Sequence, residues 1–268
     1  MNDLHSRLVP RHPQRWWAWL VASQLLVAWL WWRLGWRIGL PCMFASHALF
    51  WWGAMYPRSQ FYSPCLARLP THERVVWLTI DDGPSNETMA MLDLLDAHDA
   101  KATFFVVGDR AAAHPELIRE IVRRGHGIGN HSCSHPASHF WALGPRRMRA
   151  EITRCQDILR SITGIAPIWF RAVVGMANPF VAAPLRDLGL ARVAWTARGY
   201  DGVAGNVASV VARIERDLAP GAIVLLHEGA AHGHNIDILR EVLQRLDAMG
   251  FRAVLPEQLA TITPDVAR

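Results

Sequence analysis

VVWLTIDDGP, residues 75–84, is the stretch on which the fold turns. Its first six residues are apolar or β-branched and too few for a helix, so they read as a strand buried on both faces. The run stops abruptly at Asp81 and Asp82, followed by the turn pair Gly83-Pro84. Downstream, Ser85 to Ala97 reads as a helix with Ser85 or Asn86 as its cap. ATFFVVG (Ala102 to Gly108) is the next strand. His114 to Arg124 is helical, with Pro115 at its start and Gly125 just past its end. A short strand near Gly127 to Gly129 runs into Asn130-His131. Pro145 to Ser161 is an amphipathic helix, Pro167 to Phe170 a strand, and Asn178 to Leu188 a helix that Pro184 kinks or divides. Leu190 to Trp195 is a strand and Asn206 to Leu218 a helix closed by Pro220-Gly221. AIVLLH (Ala222 to His227) is a strand, Ile236 to Met249 the last helix, and Phe251 to Val254 a final short strand.

Strand and helix thus alternate about seven times, which argues an α/β domain with parallel strands. Asp81, Asp82, Arg171 and His227 all fall at strand C-terminal ends, where a barrel places its chemistry. A dinucleotide-binding sheet is not expected, because DDGP stands where G-x-G-x-x-G would follow the first strand. The chain divides at about residue 73, into an N-terminal segment with linker (1–73) and the α/β domain (74–268).

The N-terminal segment has a different composition. Nine of the 13 tryptophans lie between Trp16 and Trp52. Residues 16–32 and 38–57 carry no fixed charge and are separated by RLGWR. These lengths are near the minimum for a membrane span, with tryptophans where an interfacial belt would place them. The expectation is two spanning helices; a single span or a monotopic hairpin is the alternative, and a signal peptide fits least. The arginines flanking the two runs point to the inner membrane as the location, with the α/β domain on the cytoplasmic side and the lipid bilayer as a partner. His47, inside the second run, is either functional there or placed near a helix end.

Overall the 268 residues are 51% hydrophobic and 19% charged, which excludes a disordered chain. The net charge is +5, with Lys101 the only lysine and the arginines scattered, so nucleic acid is not an expected partner. Cys42, Cys65, Cys133 and Cys155 form no C-x-x-C pair and no disulfide framework.

The chemistry lies in a few side chains. His131 and His135, in HSCSH, have a spacing at which two imidazoles face one metal, although surface or capping histidines share it. Asp81 and Asp82 repel each other and need a cation or another partner, unless they simply cap a solvated turn. Neighbouring side chains point in different directions, so one can ligate metal while the other accepts a proton from water. His227 can protonate a leaving group near neutral pH or sit hydrogen-bonded in the core. Arg171 can hold the free aspartate ionised through a bidentate pair, or form an ordinary surface salt bridge worth little. Together these groups make a hydrolytic set: three metal ligands, a base and an acid, as cleaving an amide requires. His232 and His234 read as a polar loop or a second metal site, and Cys133 as silent.

These same residues carry a resemblance. TIDDGP (Thr79 to Pro84), HSCSH, FRAVVG (Phe170 to Gly175), the region from Trp195 to Asp201, and LLH (Leu225 to His227) occur in the order of five motifs of the polysaccharide deacetylases. This NodB-homology family is also called carbohydrate esterase family 4. The resemblance spans roughly residues 74–255. It implies a distorted (β/α) barrel of about seven strands, here preceded by the membrane hairpin or one to two transmembrane helices. It also implies that Asp81 is the catalytic base, oriented by Arg171, that His227 is the acid, and that Asp82, His131 and His135 hold one divalent metal. Zinc is expected, with Co2+, Ni2+ or Mn2+ as alternatives. The implied activity is removal of an N-acyl, most often N-acetyl, group from an amino sugar in a glycan or glycolipid. O-deacetylation, deformylation of a lipid-linked sugar, and a non-catalytic membrane partner protein are the alternatives. Ala172, Val173 and Val174 depart from the family's R-P-P-Y-G pattern, Glu228 replaces a common Asp, and the pairing of Asp201 with His227 is left open.

Overall fold

The computed structural model describes residues 3–259. Three helices come first: α1 (Asp3–Leu8), α2 (Arg15–Leu34) and α3 (Trp36–Met55). The α/β part then runs β1 (Cys65–Leu66), β2 (Val75–Gly83), α4 (Thr88–Ala97), β3 (Ala102–Val106), α5 (Gly108–Ala113), α6 (Pro115–Arg123), β4 (Gly127–Asn130), α7 (Pro145–Thr163), β5 (Trp169–Phe170) and α8 (Ala182–Leu188). It finishes with β6 (Ala191–Val193), β7 (Ala197–Arg198), α9 (Val207–Asp217), β8 (Ile223–His227), α10 (Asn235–Ala248) and β9 (Arg252–Ala253).

The sheet order is β1-β6-β5-β4-β3-β2-β8-β7, with β9 on the free end of β2, and every one of these pairings is parallel. β2 is central, which is why its sequence is apolar on both faces. Period-2 alternation then sorts its side chains. Val76, Leu78 and Ile80 enter the main core with residues of α4, α6, α7, α9 and α10. Trp77 points the other way, into the concave face, beside Phe105, Trp169 and Leu225. Thr79 and Asp81 share the Trp77 side by the same period, so the strand itself carries Asp81 to the mouth of the concave face. Each large apolar side chain buried here contributes about 1.5–3 kcal/mol.

Several expectations are corrected. The sheet curls into a half-barrel of nine strands rather than a barrel of about seven; the short β1 and β7 escape a reading based on apolar runs. Ser85 and Asn86 precede α4, and Pro184 falls in the first turn of α8, where no intrahelical N–H is needed, so it divides nothing.

The larger correction concerns the N-terminus. The two apolar runs do fold as helices, α2 and α3, packed on each other with Gln24 donating to Ser46. However, among the described residues no helix is long and apolar enough to cross a membrane. The physical reason is composition. Six residues of α2 are tryptophans, each with a polar indole N–H, and Ser23, Gln24, Ser46 and His47 occupy mid-helix positions. The expected transmembrane hairpin, bilayer partner and inner-membrane placement with a cytoplasmic domain rested on those spans and fall with them. His47 bonds its own helix, through Nδ1 to the Met43 carbonyl. The helical pair instead docks on the α/β part. Trp16 meets Phe180 edge-on at 5.7 Å, the Ala177 N–H donates to Ala54, and buried Arg192 donates to the Pro57, Ser59 and Ser63 carbonyls.

Candidate metal and catalytic site

A cleft of about 150 Å³ opens at the C-terminal ends of β2, β7 and β8. Asp81, Asp82, His131, His135 and His227 all line it. A larger groove, about 840 Å³, lies within the N-terminal segment, lined by residues 7–19, Leu49 and residues 60–64, but contains none of these groups. The cluster of potential metal ligands, Asp82, His131 and His135, lies in the smaller one.

The two adjacent carboxylates separate through backbone geometry. Asp81 stays in register, opposite Phe105 on β3 and His227 on β8. The register then shifts between Asp81 and Gly83, and Asp82 takes φ 71°. That left-handed turn aims Asp82 away from its neighbour. Ser132 and His135 are also left-handed, with φ 68° and 51°. Such backbones are costly and gather where the surrounding structure fixes them for a purpose.

Asp82 Oδ1 lies 3.4 Å from His131 Nε2 and 3.0 Å from His135 Nε2. The three ligand atoms are all within 4.8 Å of one another. Burial alone would raise the Asp82 carboxyl; the two imidazoles outweigh it and hold it well below the usual carboxylate range. His131 Nδ1 lies 2.9 Å from the Arg171 carbonyl, which only an N–H can satisfy. Its Nε2 lone pair is therefore free and faces Asp82, as in a metal-ready imidazole. Asp82 Oδ1 is buried without a conventional hydrogen bond. A carboxylate and two imidazoles converging on one point fit a divalent cation, and among the described residues this is the one such cluster.

The HSCSH segment is braced from behind. Glu151 on α7 accepts from the Cys133 and Ser134 N–H groups and from the Ser134 hydroxyl. Asn130 accepts from the Ser132 N–H and donates to Ile152 and Gln156. Cys133 donates to Asp109, and burial pushes its thiol up to about 12, so it is silent as a nucleophile.

Asp81 adjoins the cluster, its Oδ2 3.7 Å from His131 Nε2, but its Oδ1 is tied to Arg171. Arg171, fully buried, donates through one nitrogen to Asp81 and to Thr79, both at 2.7 Å. Its other terminal nitrogen reaches the Ala194 carbonyl, so the contact is single-pronged rather than the bidentate pair expected. The Phe105 ring, 4.2 Å from the guanidinium, fixes its plane.

His227 faces the cleft from the opposite side. Its Nδ1 lies 3.0 Å from Asp201 Oδ1, and its backbone N–H donates to Asp201 Oδ2 at 2.6 Å. The pairing left open by the sequence therefore exists. Burial lowers the His227 pKa, but Asp201, then Asp81 and Asp82, outweigh it and raise the value to about 9. Gly202 packs against this ring; a Cβ there would sit 3.3 Å from it. His232 bonds the Asp201 carbonyl and steadies that loop, and neither His232 nor His234 joins the metal cluster. Glu228 is a brace as well: one oxygen takes Ser85 and Thr88, and the other lies where a Cβ on Gly83 would go.

Glu151 and Arg192 escape a reading of the sequence, because nothing in their local spacing marks them. Val174 (φ 54°) and Tyr200 (φ 67°) complete the strained rim of the cleft.

Known proteins are similar to this chain in sequence and fold. Residues 68–193 match the family model for polysaccharide deacetylase. A chitooligosaccharide deacetylase of Bradyrhizobium sp. (strain ANU 289) is 38% identical over 162 residues, covering 60% of this chain and 73% of the relative. A peptidoglycan-N-acetylglucosamine deacetylase of Bacillus cereus is 31% identical over 199 residues, covering 72% and 70%. Among solved structures, a family 4 carbohydrate esterase from Streptomyces lividans, in complex with acetate, is similar at a TM-score of 0.63 and 30% identity, covering 70% of this chain and 96% of that one. With half-barrel, metal cluster and sequence in agreement, this chain belongs to the polysaccharide deacetylase family.

Proposed function

We propose that this chain removes the N-acetyl group from an N-acetylglucosamine unit of a glycan, with zinc held by Asp82, His131 and His135. The coarser statement is firm: it is a metal-dependent hydrolase that takes an N-acyl group from an amino sugar. The observation that carries the finer reading is the division of labour between neighbours. Asp82 converges with two imidazoles, while Asp81 beside it is tied to Arg171 and left facing the cleft. The relatives named above act on chitooligosaccharide and on peptidoglycan N-acetylglucosamine, which points to the same sugar here.

When bound, a divalent ion supplies a Lewis acid and acidifies water. The residues do the rest. Asp81, oriented by Arg171, takes a proton from the attacking water as its oxygen bonds to the acyl carbon. A backbone N–H of the turn after Arg171 helps to hold the developing oxyanion. His227, protonated and aligned by Asp201, gives its proton to the amine as the carbon–nitrogen bond breaks. Free sugar amine and acetate result.

Acyl release from N-acetyl, N-formyl and O-acetyl substrates tests the reading, with N-acetylglucosamine oligomers expected to turn over fastest. Asp81→Asn should lower turnover by about 10²–10⁴-fold. A near-wild-type rate for that variant would remove Asp81 from the role of base.

A further inference from the structure

We propose that Arg198 makes the cleft selective for amino sugars bearing an oxyanion, carboxylate or phosphate, close to the N-acyl group; this rests on the deacylase reading above. Arg198 lies across from Leu225 in the β7–β8 register, and His227 is two residues further along β8. Residues two apart on a strand share a face, so Arg198, Leu225 and His227 all reach the same cleft, and all three line it.

The guanidinium is held like a plate. The Trp195 ring lies 5.1 Å from it and the Tyr200 ring 4.3 Å. Tyr200 keeps a left-handed backbone, φ 67°, in the position that places its ring there. The guanidinium thus lies over two aromatic rings, which limit its movement and leave its N–H groups as the donors. Arg198 Nε is buried with no acceptor, and among the described residues the side chain has no ion-pair partner.

The carboxylates nearby are committed elsewhere: Asp81 to Arg171, Asp82 to the imidazoles, and Asp201 to His227. A second cation, Arg213, lies 6.0 Å from the Tyr200 ring and donates to the Gly199 carbonyl. Burying a donor without a partner is unfavourable. A planar fork already fixed by stacking suits a carboxylate or phosphate, and little freedom is lost when it binds. A neutral sugar would leave the same donors unanswered.

Calorimetric titration of N-acetylglucosamine, N-acetylglucosamine 6-phosphate and N-acetylmuramic acid into the metal-loaded and metal-free protein tests this. At least one anionic sugar should bind about tenfold more tightly than the neutral one in both forms. Which one does so separates phosphate from carboxylate as the source. Arg198→Gln should bring the ratio close to one, and Arg198→Lys should keep part of it. If Arg198→Gln does not fold, the wild-type ratio must still shrink as salt is raised. Equal affinity for all three sugars, a preference that survives in folded Arg198→Gln, or a ratio indifferent to salt would overturn the assignment. Acetate release from neutral N-acetylglucosamine oligomers, run in parallel, reports on the deacylase reading separately. Its failure with the anion preference intact would strike that reading and leave Arg198's role standing.

Discussion

The two walls of the cleft are held in different ways. The metal wall, Asp82 with the HSCSH segment, is braced from behind by Glu151, Asn130 and the Arg171 carbonyl, all buried. The acid wall, from Arg198 to His227, is anchored by Asp201 but rims out into exposed Tyr200 and Val203. The difference follows from what each must do. Ligands have to meet one point within a fraction of an ångström, so their backbones are strained and pinned. In the proposed roles of acid and substrate contact, His227 and Arg198 reach groups on a sugar that arrives and leaves, which suits a wall with an exposed rim.

The sharpest way to break this contrast is to remove a ligand. His131→Ala should lose metal and lower turnover by roughly a thousandfold or more, because the Lewis acid goes with it. Steady-state acyl release with added zinc checks this; activity close to wild type would mean that the metal wall is not one.

The acid wall should respond through pH. In its proposed role as acid His227 must be protonated, and its pKa is raised to about 9 by carboxylates that outweigh burial. Turnover should therefore fall as pH climbs through that region. Metal at Asp82 offsets part of the carboxylate pull, so the limb in the loaded enzyme should lie at or below this value. Asp201→Asn removes the largest raising influence and should move the alkaline limb of kcat to lower pH. An unmoved limb would detach Asp201 from the acid.

The smallest effect should come from the brace. Glu151→Gln keeps the shape but weakens the acceptor for two backbone N–H groups and the Ser134 hydroxyl. Metal affinity should fall about tenfold to a hundredfold, with turnover recovered at saturating metal. A change in turnover that metal cannot rescue would place Glu151 in the chemistry itself.

What could be read from the chain follows the same division. Asp81, Asp82, His131, His135, Arg171 and His227 lie at strand ends or in tight local spacings, and the sequence displays both. The partners that orient them lie far along the chain: Asp201 is 26 residues from His227, and Glu151 is 17 residues from Ser134. Only the fold brings them together. The short strands β1 and β7 lack an apolar run of useful length, and β7 is the one that carries Arg198. The N-terminal runs resemble membrane spans for a related reason. A count of uncharged residues treats tryptophan like leucine, while the indole N–H and the mid-helix Ser, Gln and His make α2 and α3 less apolar than a span requires.

Metal stoichiometry of the Asp81→Asn and Asp82→Asn variants, measured on purified protein by elemental analysis, separates the two neighbouring carboxylates most directly. Asp81→Asn should retain about one divalent ion per chain while losing turnover, and Asp82→Asn should lose the ion. The reverse pattern, metal lost with Asp81 and kept without Asp82, would contradict the division of roles between them.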